Sequence, residues 1–263
     1  MVGVRMRALL ILLAGAADAS GFQAPGAAEI LRRSVEANQA DWKAAPEYDY
    51  FERERKPGSV KTYHVRMIDG SPYQELVAAD GKKLSAADEK EEEQKLQQVI
   101  RQRRSESASD RAGRVAKYQR DQKRVHALMQ QLTQAFDFRL LGERRLGPYR
   151  VYVLRATARA GYHPPNLDCE VLTGMRGRLW IDKQTYQWVK VEARVMRPVS
   201  IAGFLARVQP GTHFELEKTP VGDGIWLPKH FAMKSNAKVL FVFRRRAQED
   251  DTYFNYRKAT VSN

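Results

Sequence analysis

The chain has 263 residues, a formal net charge of +14 and a hydrophobic fraction of 43%. That length suits one large β-rich domain or two small ones with an adequate core. A lone cysteine, Cys169, excludes an internal disulfide framework, so stability has to come from packing.

Residues 1–7 carry Arg5 and Arg7 and lead into the apolar run 8–14, which is too short to span a bilayer. Ala17 and Ala19 occupy the two small-residue positions that a signal peptidase reads. Cleavage is therefore expected between Ala19 and Ser20, leaving 20–263 as one exported, soluble domain. The absence of a cysteine near that point excludes lipid attachment there, and Met6 between the two arginines argues against a twin-arginine signal. Outside the cytoplasm, a basic chain meets phospholipid head groups, lipopolysaccharide or acidic proteins more often than nucleic acid, which is not expected as a partner.

Residues 28–38 place Ile30, Leu31 and Val35 at helical spacing against Arg32, Arg33 and Glu36, a short amphipathic helix. Strand-like runs follow at 48–55, 60–68 and 73–78, separated by Lys56-Pro57-Gly58 and Asp69-Gly70-Ser71-Pro72, so a three-stranded meander is expected. Asp80-Gly81 turns the chain toward a helix with Ser85 and Asp88 as its N-cap signal. Acidic residues early in 85–104 and arginines late complement a helix dipole. A second helix, at about 111–136, joins an apolar stripe of Val115, Tyr118, Val125, Met129 and Leu132 to a basic stripe of Arg114, Lys117, Arg120 and Arg124. Residues 82–135 thus form a helical hairpin inserted between strands. Beyond Arg139, strands are expected at 149–156, 178–182, 188–195, 212–217, 226–233, 239–243 and 252–256, with short connections that favour antiparallel neighbours. The fold class is α+β: a curved antiparallel sheet, an incomplete β-barrel, with helices packed on its concave face and the hairpin inserted.

The run Gly177-Arg178-Leu179-Trp180-Ile181-Asp182-Lys183-Gln184-Thr185-Tyr186, followed by Val189-Lys190-Val191-Glu192-Ala193, is a hairpin of the pattern xWIDKxTYxxVxxE. Gly211-Thr212-His213-Phe214-Glu215-Leu216-Glu217 and Gly224-Ile225-Trp226-Leu227-Pro228-Lys229 continue it. Together these resemble secreted proteins related to outer-membrane lipoprotein-sorting proteins, the periplasmic carriers with a LolA/LolB-like fold. The resemblance covers residues 28–79 and 137–258 and leaves the hairpin outside. It implies a periplasmic half-barrel plugged by helices around an apolar cavity for acyl chains, with a lipid or lipidated protein as partner, no cofactor, and a monomeric state.

Strand alternation puts Val189, Val191 and Val195, Phe214 and Leu216, Phe231 and Met233, and Phe241 and Phe243 on one face. Both an acyl-chain cavity and a close-packed core satisfy that pattern, and Trp180 and Trp226 fit a cavity rim but more often serve as packing in a core or at its rim. An acyl chain there would gain about 0.8 kcal/mol per buried methylene. The stripe of Arg114, Lys117, Arg120 and Arg124, with Arg244, Arg245 and Arg246 at a strand end, suits anionic lipid heads or an acidic partner, although a charge run is more often a solvated face. His64, His126, His163, His213 and His230 form no metal-binding spacing, so no metal site is expected. His163, Asp168 and Cys169 are close in sequence, but a triad needs convergence in space. Without a nucleophile elbow, phosphate loop or dinucleotide fingerprint, the expectation is a binding protein and not an enzyme. The competing expectation is a protein-interaction or sensor module with a filled core.

Overall fold

Ile30, Leu31, Ser34 and Asp41 recur at helical spacing and are the buried positions of the first helix, α1 (Ala27–Ala44), in the computed structural model, which describes residues 25–201, 206–239 and 243–259. For Arg124, Phe243, Arg244, Arg245 and Arg246 only the backbone is described, and residues 1–19, expected to direct export, and Phe241 lie outside the described residues. On the solvent side of α1, Arg32 and Arg33 bond Glu29 and Arg32 also bonds Glu36, the i,i+3 and i,i+4 pairs expected of an exposed helix face.

The meander follows as expected: β1 (Tyr48–Lys56), β2 (Ser59–Ile68), β3 (Ser71–Ala79) and the two-residue β4 (Lys82–Lys83). Asp69-Gly70 makes the β2–β3 turn with φ of 44° and 84°, a conformation that Asp and Gly tolerate and β-branched residues do not. Helix α2 (Ala86–Ser105) starts at Ser85, whose hydroxyl accepts from the Asp88 amide at 3.2 Å, and α3 (Ala108–Gln130) repeats the device with Ser107 and Asp110 at 3.1 Å.

The second helix was expected to run to 136. It ends earlier, through the single turn α4 (Leu132–Ala135), because Phe136, Phe138 and Leu140 alternate at strand period and start β5 (Phe136–Leu146), a strand missing from the sequence expectation. Then come β6 (Tyr149–Ala158), the 3-10 segment Leu167–Gly174, β7 (Met175–Asp182), β8 (Trp188–Val195), the short β9 (Val199–Ile201) and β10 (Ala206–Val208), β11 (His213–Gly222), β12 (Ile225–Val239) and β13 (Phe243–Lys258). The run 239–243 was expected as a strand of its own; Val239 instead ends β12 and pairs with Phe243, which begins β13, and 240–242 lie outside the described residues. Continuous apolar residues carry no turn signal to mark that reversal.

The main path of the sheet is β4-β3-β2-β1-β13-β12-β11-β8-β7-β6-β5, antiparallel throughout, with β9 and β10 attached beside β12. It is a curved sheet with helices, α+β, and its terminal strands β4 and β5 do not pair with each other. The larger core lies where α1, α4 and the 3-10 segment meet β5–β8 and includes Ile30, Leu154 and Ile181, all 0% exposed. Each such side chain contributes about 1.5–3 kcal/mol of burial. Alternate residues of β6 build a second core on the opposite face, where Val151 and Val153 pack with Val189 and Trp226.

The patterned hairpin at 177–193 owes its signature to a turn. Asp182 Oδ2 accepts from the amides of Gln184 and Thr185 at 3.1 and 2.8 Å and from the Thr185 hydroxyl at 2.9 Å, while Tyr186 takes φ 58°. Its Asp, Thr and Tyr therefore close a loop; they do not form a reactive group.

Candidate functional site

The cleft with an apolar floor lies between α1 and the edge strand β5. It has a volume of about 700 Å³. From α1 come Leu31 and Val35 on the floor with Arg32, Glu36 and Gln39 along the wall, and from α4 and β5 come Thr133, Phe136, Asp137 and Phe138, with Arg159 closing the end. Helical spacing places Leu31 and Val35 on one side of α1, and strand alternation turns Phe136 and Phe138 toward the same space. Phe136 is buried and Phe138 half-buried, so the floor is rigid and apolar.

The two arginines at the rim are held in place. Arg32 donates through two nitrogens to Glu29, at 2.9 and 2.8 Å, and through a third to Glu36 at 2.7 Å. These bonds from Arg32, with those from Arg33, lower the Glu29 carboxyl to about 2, so it stays ionised. Arg159 donates to Asp137 at 2.9 Å and to the Phe136 carbonyl at 3.2 Å. A wall of fixed, mutually compensated charges over an apolar floor suits an amphipathic ligand. A second recess, of about 350 Å³, is lined by Gly211, Lys234, Ser235 and Asn236 and has no apolar side chain to hold a hydrocarbon.

The α1 wall is anchored by buried polar bonds. Trp188 Nε1 donates to Ser34 Oγ, and Lys218 Nζ forms an ion pair with Asp41 Oδ2. Asp41 Oδ1 accepts from Gln187 Nε2 at 3.0 Å and from the Trp226 amide at 2.8 Å, and Lys218 also donates to Asn38 Oδ1 at 2.7 Å. Burial raises the Asp41 carboxyl above its usual range despite Lys218, and lowers Lys218 despite Asp41. Desolvation disfavours both charges, and the geometry of the pair offsets that cost.

The apolar residues expected on one face divide. Val191 and Val195 are buried in the larger core, and Phe214 and Leu216 are half-buried against it. Phe231 and Met233 are half-buried and pair in register with Leu216 and Phe214, extending the stripe onto β12. Val189 does not share that face. Between Trp180 and Ile181 the partner on β8 jumps from Lys190 to Trp188, and this bulge sends Val189 into the second core with Trp226. The stripe on β8, with the half-buried residues of β11, therefore belongs to the face of the larger core, which also holds Ile30 and Leu31 of α1.

Of the basic stripe, Lys117 and Arg120 are exposed. Arg114, expected to face an anionic surface, is turned inward. It ion-pairs with Glu106 at 2.7 Å and donates to Ser71 Oγ at 2.6 Å and the Asp69 carbonyl at 3.2 Å, tying α3 to the β2–β3 turn. Arg103, read from sequence as dipole compensation, does the same for α2. Its guanidinium donates to the carbonyls of Ile68, Ser71 and Pro72 at 2.7, 2.8 and 3.2 Å.

Cys169 is 1% exposed in the larger core, where burial raises its thiol and so disfavours the nucleophilic thiolate. His163 is exposed. Among the described residues, no group of three or more His, Cys, Asp or Glu could hold a metal ion, and no helix is long and apolar enough to cross a membrane.

The cleft itself was not foreseen. Val35 and Leu31 were visible as one helix face, but the wall opposite them depends on β5, whose first residues read as helix end.

No protein-family model matches the sequence, and no curated protein matches it. Among solved structures, a LolA superfamily protein from Nitrosomonas europaea is similar, with 13% identity, 90% of this chain and 96% of that chain covered, and a TM-score of 0.33. An outer membrane lipoprotein-sorting protein domain from Vibrio parahaemolyticus is similar at 12% identity, with 88% and 94% covered and a TM-score of 0.31. The MucA/MucB complex of Pseudomonas aeruginosa supplies a third at 12% identity, with 89% and 99% covered and a TM-score of 0.25.

Proposed function

We propose that this chain is an exported periplasmic carrier that holds a lipid, or the lipid part of a lipidated partner, in the cleft between α1 and β5, without covalent chemistry. The observation that carries the reading is the cleft of about 700 Å³ with Leu31, Val35, Phe136 and Phe138 below and Arg32 and Arg159 at its rim. That volume lies within the range of small-molecule sites, roughly 300–1,000 Å³. Hydrocarbon burial on the floor supplies affinity, and the rim orients a polar head. The larger core is filled, so the ligand sits beside α1 and not beneath it.

Native mass spectrometry of protein purified from an envelope fraction, with lipid extraction of the same sample, tests this directly. Co-purified lipid and saturable binding of a fluorescent fatty-acid probe are expected. Val35→Trp, which fills the cleft without burying a charge, should lower probe affinity at least tenfold, a loss of about 1.4 kcal/mol. A lipid-free protein that also ignores the probe would sink the carrier reading.

A second reading rests on β5 as a terminal strand with one edge unpaired beside the cleft. An extended segment of a partner protein could add to that edge by main-chain bonds and place alternate side chains on the same floor. Probe binding that Val35→Trp leaves unchanged, together with a peptide-dependent chemical shift change in β5 amides, would favour it.

A further inference from the structure

We infer that the sheet face opposite α1 is a docking surface for an anionic phospholipid bilayer. On that face, beside the second core of Val151, Val153 and Val189, β5–β8 carry a row of basic residues. Arg155 lies between the buried Leu154 and Ala156, and Arg194 between the buried Ala193 and Val195, so both project away from the core. In register, Arg139 opposes Arg155, which opposes Arg178; one pair along, Arg176 opposes Arg194, and the row continues through His213 to Lys234. Arg139, Arg155, Arg176, Arg178, Arg194 and Lys234 are all exposed. None of the six has an ion pair among the described residues. Glu192, which opposes Arg178 in register, is instead paired with Lys190 at 3.2 Å, as is Glu215 at 2.7 Å.

Like charges set directly opposite on neighbouring strands weaken a sheet. Here three such oppositions, Arg139 with Arg155, Arg155 with Arg178 and Arg176 with Arg194, stand in one patch, and Glu192 is the acid opposite Arg178. Strand spacing of about 4.8 Å and a two-residue repeat of about 7 Å set them in a grid of guanidinium groups. Guanidinium binds phosphate bidentately. The row is bordered by apolar side chains: half-buried Trp180 follows Arg178 by two residues on β7, and exposed Met196 follows Arg194 by two. A phosphate-rich lipid surface offers the dense negative charge that such a row complements. Asp137, at the β5 end of the row, also lines the α1–β5 cleft, so a chain docked by this face brings the cleft mouth beside the bilayer. The docking does not depend on the cleft being loaded.

The test is co-sedimentation of the purified chain with vesicles of phosphatidylcholine, with and without phosphatidylglycerol. Binding is expected only where phosphatidylglycerol is present, and is expected to fall with added salt. Arg155→Gln/Arg178→Gln should lower partitioning about thirtyfold, from about fivefold per basic residue at an anionic surface. Arg176→Gln/Arg194→Gln should do the same. Lys82→Gln/Lys83→Gln removes equal charge from β4, at the opposite end of the strand order and outside the row, and should bind like the unaltered chain. Near-ultraviolet circular dichroism should be unchanged in all three. Binding that ignores phosphatidylglycerol, or an equal loss in all three double variants, would overturn the inference. Retention on immobilised polyglutamate without vesicle binding would also overturn it, assigning the row to an acidic protein.

Discussion

Asp41 and Lys218 show how much a single residue can settle in this fold. The carboxylate joins α1 to β11 through Lys218, to the turn before β8 through Gln187 and to the first residues of β12 through the Trp226 amide. Removing one member of a buried pair leaves the other charge without compensation, whereas replacing both with apolar groups of similar size does not. Asp41→Ala should therefore lower unfolding free energy by about 3–5 kcal/mol, and Asp41→Leu/Lys218→Met should recover most of it. Urea denaturation midpoints check this, and equal losses in the two variants would show that the pair is not what holds α1. Neither residue stood out in the sequence. Asp41 lies beyond the helix as it was read, and nothing local links it to a lysine 177 positions away.

At the scale of elements, the helical hairpin was legible from its caps and charge order, but its attachment was not. Arg103 and Arg114 converge on the β2–β3 turn, where Arg103 satisfies carbonyls that the turn leaves free. A hydrogen bond from a charged group contributes about 1.5–3 kcal/mol. Arg103→Met should therefore release α2 locally. Hydrogen exchange should show α2 amides losing protection while those of β6–β8 keep theirs. Uniform loss across both would mean that the hairpin is part of one cooperative unit with the sheet. The β5 strand failed to show for the converse reason: its opening Phe136 and Phe138 continue an apolar helical stripe, and only pairing with β6 decides their period.

Over the whole molecule, the inner face changes character from one half of the sheet to the other. Beside α1 it is a filled apolar core; across β1 and β13 it becomes a cluster of Tyr50, Tyr253, Tyr256, Glu52 and Asp251. Burial raises all three tyrosine hydroxyls. Burial likewise raises Glu52, and burial with the neighbouring Glu54 and Glu249 raises Asp251. A carboxyl raised in the folded state binds its proton more tightly there than in the unfolded chain, so its ionisation opposes folding. That penalty is fully present above the folded pKa and is relieved as pH falls toward the ordinary values of 4.5 and 3.8. Glu52→Gln/Asp251→Asn should therefore raise Tm at neutral pH, with the difference from the unaltered chain shrinking as pH falls through that window. A difference independent of pH would show that the gain does not come from ionisation.

Sequence by itself determined what depends on neighbours along the chain. The amphipathic α1, the Asp-Gly turns, the serine caps, the strand runs and the Asp182–Thr185 loop each follow from local propensity and short-range bonding. Tertiary structure alone decided which faces meet. A bulge on β8 moved Val189 to the other core, a helix stop at Ala135 created the wall of the cleft, and strand order stacked scattered arginines into one row. Register and strand order join residues far apart in the chain, and a one-residue slip reverses every side chain beyond it, so no local pattern can carry that information.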